Sequence, residues 1–190
     1  MKLRRYFLFE TPFGICGLVW SESGLIRVLL PDEPARLEAR CHALGAGPVQ
    51  DEVPPAICDV TARLRAGFEG VPQDFSNVSL DWSEIGESER AIYSELRGIG
   101  WGRTTTYGAL ARAVGKPRAA QAVGIAMGRN PWPVIVPCHR VLGAGTYDGG
   151  FSAPGGVKTK TRLLALEGVA IGNQTPLLPG LFADTAPDKA

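Results

Sequence analysis

The chain has 190 residues, 45% hydrophobic and 21% charged, a balance that supports one large or two small folded domains and excludes a disordered or collagen-like polymer. The net charge of +1 hides a division of sign. Residues 1–87 carry eight Lys/Arg against thirteen Asp/Glu, a net of −5, and residues 88–168 carry eleven against four, a net of +7. Such an asymmetry is expected where one half of a protein meets a polyanion.

The four cysteines, Cys16, Cys41, Cys58 and Cys138, are not closely paired. With no secretory leader evident, a reducing, cytoplasmic compartment is expected, nucleoid-associated if the source is a bacterium. No stretch is long and apolar enough to span a bilayer. With two histidines and no C-x-x-C or H-x-x-x-H spacing, no metal site is expected.

In chain order, the β-rich runs 6–9, 14–20 and 25–30 are punctuated by Thr11-Pro12-Phe13-Gly14 and Glu22-Ser23-Gly24, which predicts a meander of hairpins. Helical composition over 34–44 ends at Gly45-Ala46-Gly47-Pro48, and Ile57, Val60 and Leu64 fall at helical spacing within 56–67. Residues 70–83 read as loop with a short strand. The first part, 1–87, is therefore predicted to be a small α/β domain without a polar cluster of its own.

A second domain, 88–171, begins with a helix over 88–97 capped by Ser88 and closed by Gly98. Thr106 is placed to cap a short helix, 107–114, that Gly115 closes. Pro117 fits the first turn of another helix running to Gly128. Two short helices joined by Gly115-Lys116-Pro117 form a helix-turn-helix pattern whose second helix faces DNA. That helix is built from Ala119, Ala120, Ala122, Gly124, Ala126 and Gly128, small enough for close approach to a duplex, although tight helix packing selects the same residues. Residues 172–190, rich in proline and polar residues, are expected to be a loose tail.

The apolar run Pro133-Val134-Ile135-Val136 predicts a buried strand, and Pro137-Cys138-His139-Arg140 follows it directly. A cysteine is a nucleophile as its thiolate, and a neighbouring imidazole or cation holds it near that state. On an extended strand, neighbouring side chains such as Cys138 and His139 point to opposite faces. A buried structural cysteine beside a surface histidine is the competing reading of the tetrapeptide alone.

Taken together these segments resemble the O6-alkylguanine-DNA alkyltransferases (methylated-DNA–protein-cysteine methyltransferases). The resemblance rests on Asn130-Pro131, on the run from Pro133 through Cys138-His139-Arg140 to Val141, on Gly155-Gly156-Val157, on Lys160 and on Leu163-Leu164-Ala165-Leu166-Glu167-Gly168. Tyr107-Gly108-Ala109-Leu110-Ala111 matches upstream. The match is strong over 92–168 and fainter at Thr11-Pro12-Phe13-Gly14 and Ser23-Gly24-Leu25.

The resemblance implies a ribonuclease H-like α/β domain followed by a mainly α winged-helix domain. It also implies minor-groove binding of duplex DNA, extrusion of O6-alkylguanine (O4-alkylthymine as a further substrate) and irreversible alkyl transfer to Cys138, by a monomer without cofactor that acts once. His139 would deprotonate Cys138 through a water, Glu167 orient His139, Asn130 brace the turn, and Tyr107 help protonate the departing guanine. Gln121, Ala120, Gly124, Arg118 and Arg129 would contact DNA. Phe151, Ser152, Val141 and Lys160 would line the substrate pocket.

Two departures stand out. Gln121 occupies the position where the family usually inserts an arginine into the duplex, and it lacks that residue's charge and planar fork. Phe151 replaces a common tyrosine, and Ser152-Ala153-Pro154 lengthens the segment after it. A lesion-binding protein without transfer is the alternative function, although such relatives replace the nucleophile that Cys138 supplies. A cysteine hydrolase using His42 or His139 is a third, with no recognisable oxyanion-hole signature.

Overall fold

A computed structural model describes residues 3–143 and 154–170. Three strands, β1 (Arg4–Thr11), β2 (Gly14–Ser21) and β3 (Gly24–Leu29), form antiparallel hairpins. Each hairpin closes over two residues, with Gly14 and Gly24 at φ 116° and 128° after the turns. At Gly24 a Cβ would also lie 2.8 Å from the Ser79 carbonyl oxygen, so the close approach as well as the dihedral demands glycine. Helix α1 (Pro34–Ala43) then leads to β4 (Ala46–Pro48), which pairs parallel with β1 and gives the mixed order β3-β2-β1-β4.

Strand alternation divides the core. Tyr6, Val19, Ile26 and Leu29 pack on Leu37 and Cys41 of α1. On the other face Cys16, Leu18, Trp20 and Val28 meet α2 (Pro55–Phe68) and the helices that follow. Those helices are α3 (Glu87–Arg97), α4 (Tyr107–Ala113), α5 (Ala120–Arg129) and α6 (Gly156–Leu166), with a two-residue parallel pair of β5 (Thr105–Thr106) and β6 (Val141–Leu142).

The core does not stop at residue 87. Trp132 is wholly buried between Trp82 and Tyr93, and its indole N–H donates to the Leu25 carbonyl at 2.7 Å. Val28 N–H donates to Pro131 O at 2.9 Å. Strand β3 is thereby bonded directly to the segment that leads to Cys138.

Three expectations are corrected. The run 133–136 is not a strand: Pro133 and Val136 make a single bridge, and Cys138–Arg140 form one turn of 3-10 helix. Pro133 and Pro137 have no N–H for a ladder, and Val134 takes φ 75°, which no strand accommodates. Helix α5 starts at Ala120 rather than Pro117, because Ala119 N–H donates to Lys116 O at 2.9 Å. Pro117 is thus the second residue of a turn, a position its fixed φ also suits. Gly86, not Ser88, caps α3, with no side-chain cap. Thr106 does cap α4, its hydroxyl accepting from Ala109 N–H at 3.1 Å.

Candidate functional site

The loop from Asn130 to Val141 is built around one amide. Asn130 Nδ2 donates to Val136 O at 2.7 Å, and its Oδ1 accepts from Trp132 N–H at 3.0 Å. The clamp closes the loop that contains Val134 in the left-handed region, where a β-branched residue is strained by about 1–3 kcal/mol. The 3-10 turn follows, with Cys138 N–H donating to Val136 O and Arg140 N–H to Pro137 O.

At three residues per turn, Cys138, His139 and Arg140 point in three directions. Cys138 faces a small cavity, while His139 and Arg140 turn inward to Glu167, the residue that ends α6. Glu167 is saturated. Its Oε1 lies 2.8 Å from His139 Nε2 and accepts from Arg140 Nη2 at 2.9 Å, and its Oε2 accepts from Arg140 Nε at 2.8 Å and from Gly102 N–H at 3.2 Å. A further guanidinium N–H of Arg140 donates to Ile99 O.

Burial pushes the Glu167 carboxyl up, but hydrogen bonds from His139 and Arg140 outweigh it and hold the group at about 2. An ionised carboxylate only accepts, so the proton of a neutral His139 sits on Nε2 and the lone pair on Nδ1. Nδ1 is buried and has no hydrogen-bond partner. Burial lowers the His139 pKa, against the pull of Glu167, and keeps the ring neutral. Burial likewise raises the Cys138 thiol, against lowering contributions from Asn130, Lys160 and the backbone N–H groups of Cys138 and His139. The resting pair is a thiol beside a neutral base, not the standing thiolate that the tetrapeptide suggests.

The cavity at Cys138 measures about 160 Å³ and is bounded by Met127, Asn130, Pro133 and Pro154. A larger one, about 610 Å³, lies between β2 and the first half of α2, but its walls are mainly apolar and, among the described residues, neither a cysteine nor a histidine lines it. Chemistry rather than size marks the smaller as the site.

The family model for the DNA-binding domain of 6-O-methylguanine DNA methyltransferase matches residues 87–169. The methylated-DNA–protein-cysteine methyltransferase of Methanosarcina acetivorans is 35% identical over 163 residues, 86% of this chain and 97% of that protein. The chain belongs to this methyltransferase family. A mouse member is 34% identical over 180 residues, covering 88% of this chain and 83% of its own. Among solved structures, Mycobacterium tuberculosis OGT in complex with DNA superposes with a TM-score of 0.68 at 32% identity, over 86% of this chain and 92% of that one.

In this methyltransferase, Cys138, His139, Glu167 and Asn130 come together around one loop. Tyr107 begins α4, half-buried against α5, where a Cβ on Gly124 would be 4.0 Å from its ring. Gln121 is exposed on the outer face of α5, Ala120 and Gly124 are half-buried, and Arg118 is exposed in the preceding turn. Arg129, at the end of α5, lies 3.7 Å from Glu89. Val141 and Lys160 stand behind the turn rather than in the cavity: Lys160 is fully buried and donates to Val141 O at 2.6 Å. Phe151 and Ser152 lie outside the described residues.

Sequence reasoning missed three features. Arg140 was legible in the tetrapeptide, yet its bidentate grip on Glu167 was not. Ile125, 51% exposed one turn beyond Gln121, has no signal in a pattern of small residues. Arg27 of β3 and Arg40 of α1 reach the Cys138 cavity from the half expected to have no site. Among the described residues, no group of three or more His, Cys, Asp or Glu could hold a metal, and no helix is long and apolar enough to cross a membrane.

Proposed function

We propose that the chain repairs alkylated DNA by direct reversal, moving the alkyl group of O6-alkylguanine irreversibly to Cys138. Family membership carries the reaction class, and the observation that supports these residues as its agents is the buried relay ending at His139 Nδ1. The attacking sulfur must be desolvated and aimed, and the proton must leave it only when substrate is present. A buried thiol with a raised pKa beside a neutral imidazole meets both conditions. Nδ1 accepts the Cys138 proton through a water. Glu167, ionised and locked by Arg140, stabilises the imidazolium that forms, and Tyr107 assists protonation of the departing guanine. The sulfur–carbon bond forms as the carbon–oxygen bond breaks, and the thioether cannot be hydrolysed. Each molecule therefore acts once, as a monomer, without cofactor.

The same reading places α5 in the minor groove, with Gln121 occupying the space of the extruded base and Ala120 and Gly124 permitting close approach. Arg118 and Arg129 contact phosphate. The order β3-β2-β1-β4, with only the β1–β4 pair parallel, supports a ribonuclease H-like first part, and the α4–α5 pair beside the β5–β6 ladder supports a winged-helix second part. O4-alkylthymine is a further substrate of this reading.

The test is intact mass after incubation with duplex DNA containing O6-methylguanine. One methyl group is expected on Cys138 and none in Cys138→Ala. An unmodified Cys138 after full binding of the lesion would overturn the proposal.

A further inference from the structure

The cavity at Cys138 is walled by cations. Arg27 from β3, Arg40 from α1 and Arg129 from α5 all line it, together with Met127 and Pro133, and among the described residues no acidic side chain does. Arg27 is the innermost by burial. Its Nε is buried without a hydrogen-bond partner, and Glu84, the carboxylate acting on it, is itself paired with Arg4. Arg40 adds a repulsion that Arg27 bears with its hydration partly removed. Arg129 has Glu89 at 3.7 Å, which leaves Arg27, partly buried with its Nε unsatisfied, and Arg40 beside it as the charges that an entering anion would complement. The Cys138 cavity volume, about 160 Å³, equals the share of about five water molecules, room for a short functionalised chain.

We propose that this cavity receives an anionic group carried on the alkyl chain itself, making O6-carboxyalkylguanine a preferred substrate class. The inference rests on Cys138 being the alkyl acceptor. The methylene attached to O6 would lie against Sγ, and the rest of the chain would enter the cavity toward Arg27 and Arg40. The thiolate attacks that methylene, the carbon–sulfur bond forms, and the carbon–oxygen bond breaks with its electron pair left on guanine, which takes up a proton. The product is an S-carboxyalkylcysteine whose carboxylate stays among the arginines, and guanine returns to the duplex.

The experiment compares single-turnover transfer from two isosteric lesions, O6-(3-carboxypropyl)guanine and O6-(3-carbamoylpropyl)guanine, with O6-methylguanine as the reference in the same protein. The carboxylate lesion is expected to react about tenfold faster than its amide, and the ratio should fall toward one in Arg27→Met and in Arg40→Met. The exposed position of Arg40 guards against a folding defect deciding the outcome. A ratio near one in the unaltered protein overturns the proposal. So does a ratio that survives both substitutions, including the case where both lesions slow equally because the arginines hold DNA phosphate. Failure of O6-methylguanine itself to react would instead overturn the assignment of Cys138.

Discussion

Every residue from Pro131 to Val141 is buried, whereas on α5 Gln121, Ala122, Ile125 and Gly128 are exposed. The first region spends its polar groups internally: Asn130 closes the loop, and Glu167 takes hydrogen bonds from His139, Arg140 and Gly102. The second leaves its outer side chains to solvent, with only Val123, Ala126 and Met127 anchoring the helix to the core. The difference separates two kinds of constraint. A change around Cys138 disturbs fold and chemistry together, because a buried polar group that loses its partner keeps its desolvation cost. A change on the outer face of α5 costs little stability and, on the proposed reading of that helix, acts almost wholly on recognition. A substitution is therefore tolerable at Gln121 and would not be at Asn130 or Glu167.

The sharpest way to break this contrast is at Cys138. Cys138→Ala should abolish alkyl uptake by intact mass while leaving lesion binding measurable by electrophoretic shift. Loss of both would mean the turn also governs recognition. Next in size, His139→Ala should slow transfer by about 10²–10⁴-fold in rapid-quench experiments, the usual contribution of a positioned base. Because burial lowers the His139 pKa, the unaltered protein should keep its rate down through pH 6.5 and lose it only below. A midpoint at or above 6.5 would contradict a buried neutral ring.

Glu167→Gln should cost about 3 kcal/mol in urea unfolding at neutral pH, since it leaves Arg140 buried beside a neutral amide. The pH dependence has a definite sign. Glu167 is held at about 2 against an ordinary 4.5, so its stabilisation is complete above the ordinary value and is lost as pH falls toward 2. The stability gap between parent and variant should narrow over that range, and parallel curves would show that the charge contributes nothing. Smaller still, Gln121→Arg should change stability by less than about 0.5 kcal/mol, as exposed substitutions do. Its effect should appear as a severalfold gain in lesion affinity or transfer rate. No gain would mean that Gln121 already supports the extruded base fully.

Much of the fold was legible before any coordinates. The hairpins announced themselves through Gly14 and Gly24, α1 through helical composition, α2 through helical spacing and α4 through the Thr106 cap, because these are local signals. The errors fell where local and tertiary preferences compete. Pro133-Val134-Ile135-Val136 has strand composition but serves as a clamped loop, since Asn130 closes it on itself at Val136 O, the neighbouring Trp132 bonds to β3, and Pro133 and the following Pro137 lack ladder donors. Pro117 suits a helix start and a turn equally, and only the Lys116–Ala119 hydrogen bond decides between them.

The order of residues along the chain by itself determined the adjacency of Cys138 and His139 and the basic half, because those are properties of residue type and spacing, whereas the link from His139 to Glu167 came only with the family resemblance. Tertiary structure decided the rest. Whether Cys138 rests as thiol or thiolate depends on burial, and whether His139 can accept a proton depends on which of its nitrogens Glu167 occupies. The cationic wall over the cavity depends on β3 and α1 folding against α5, a convergence of Arg27, Arg40 and Arg129 that no local pattern encodes, since up to about a hundred residues separate them.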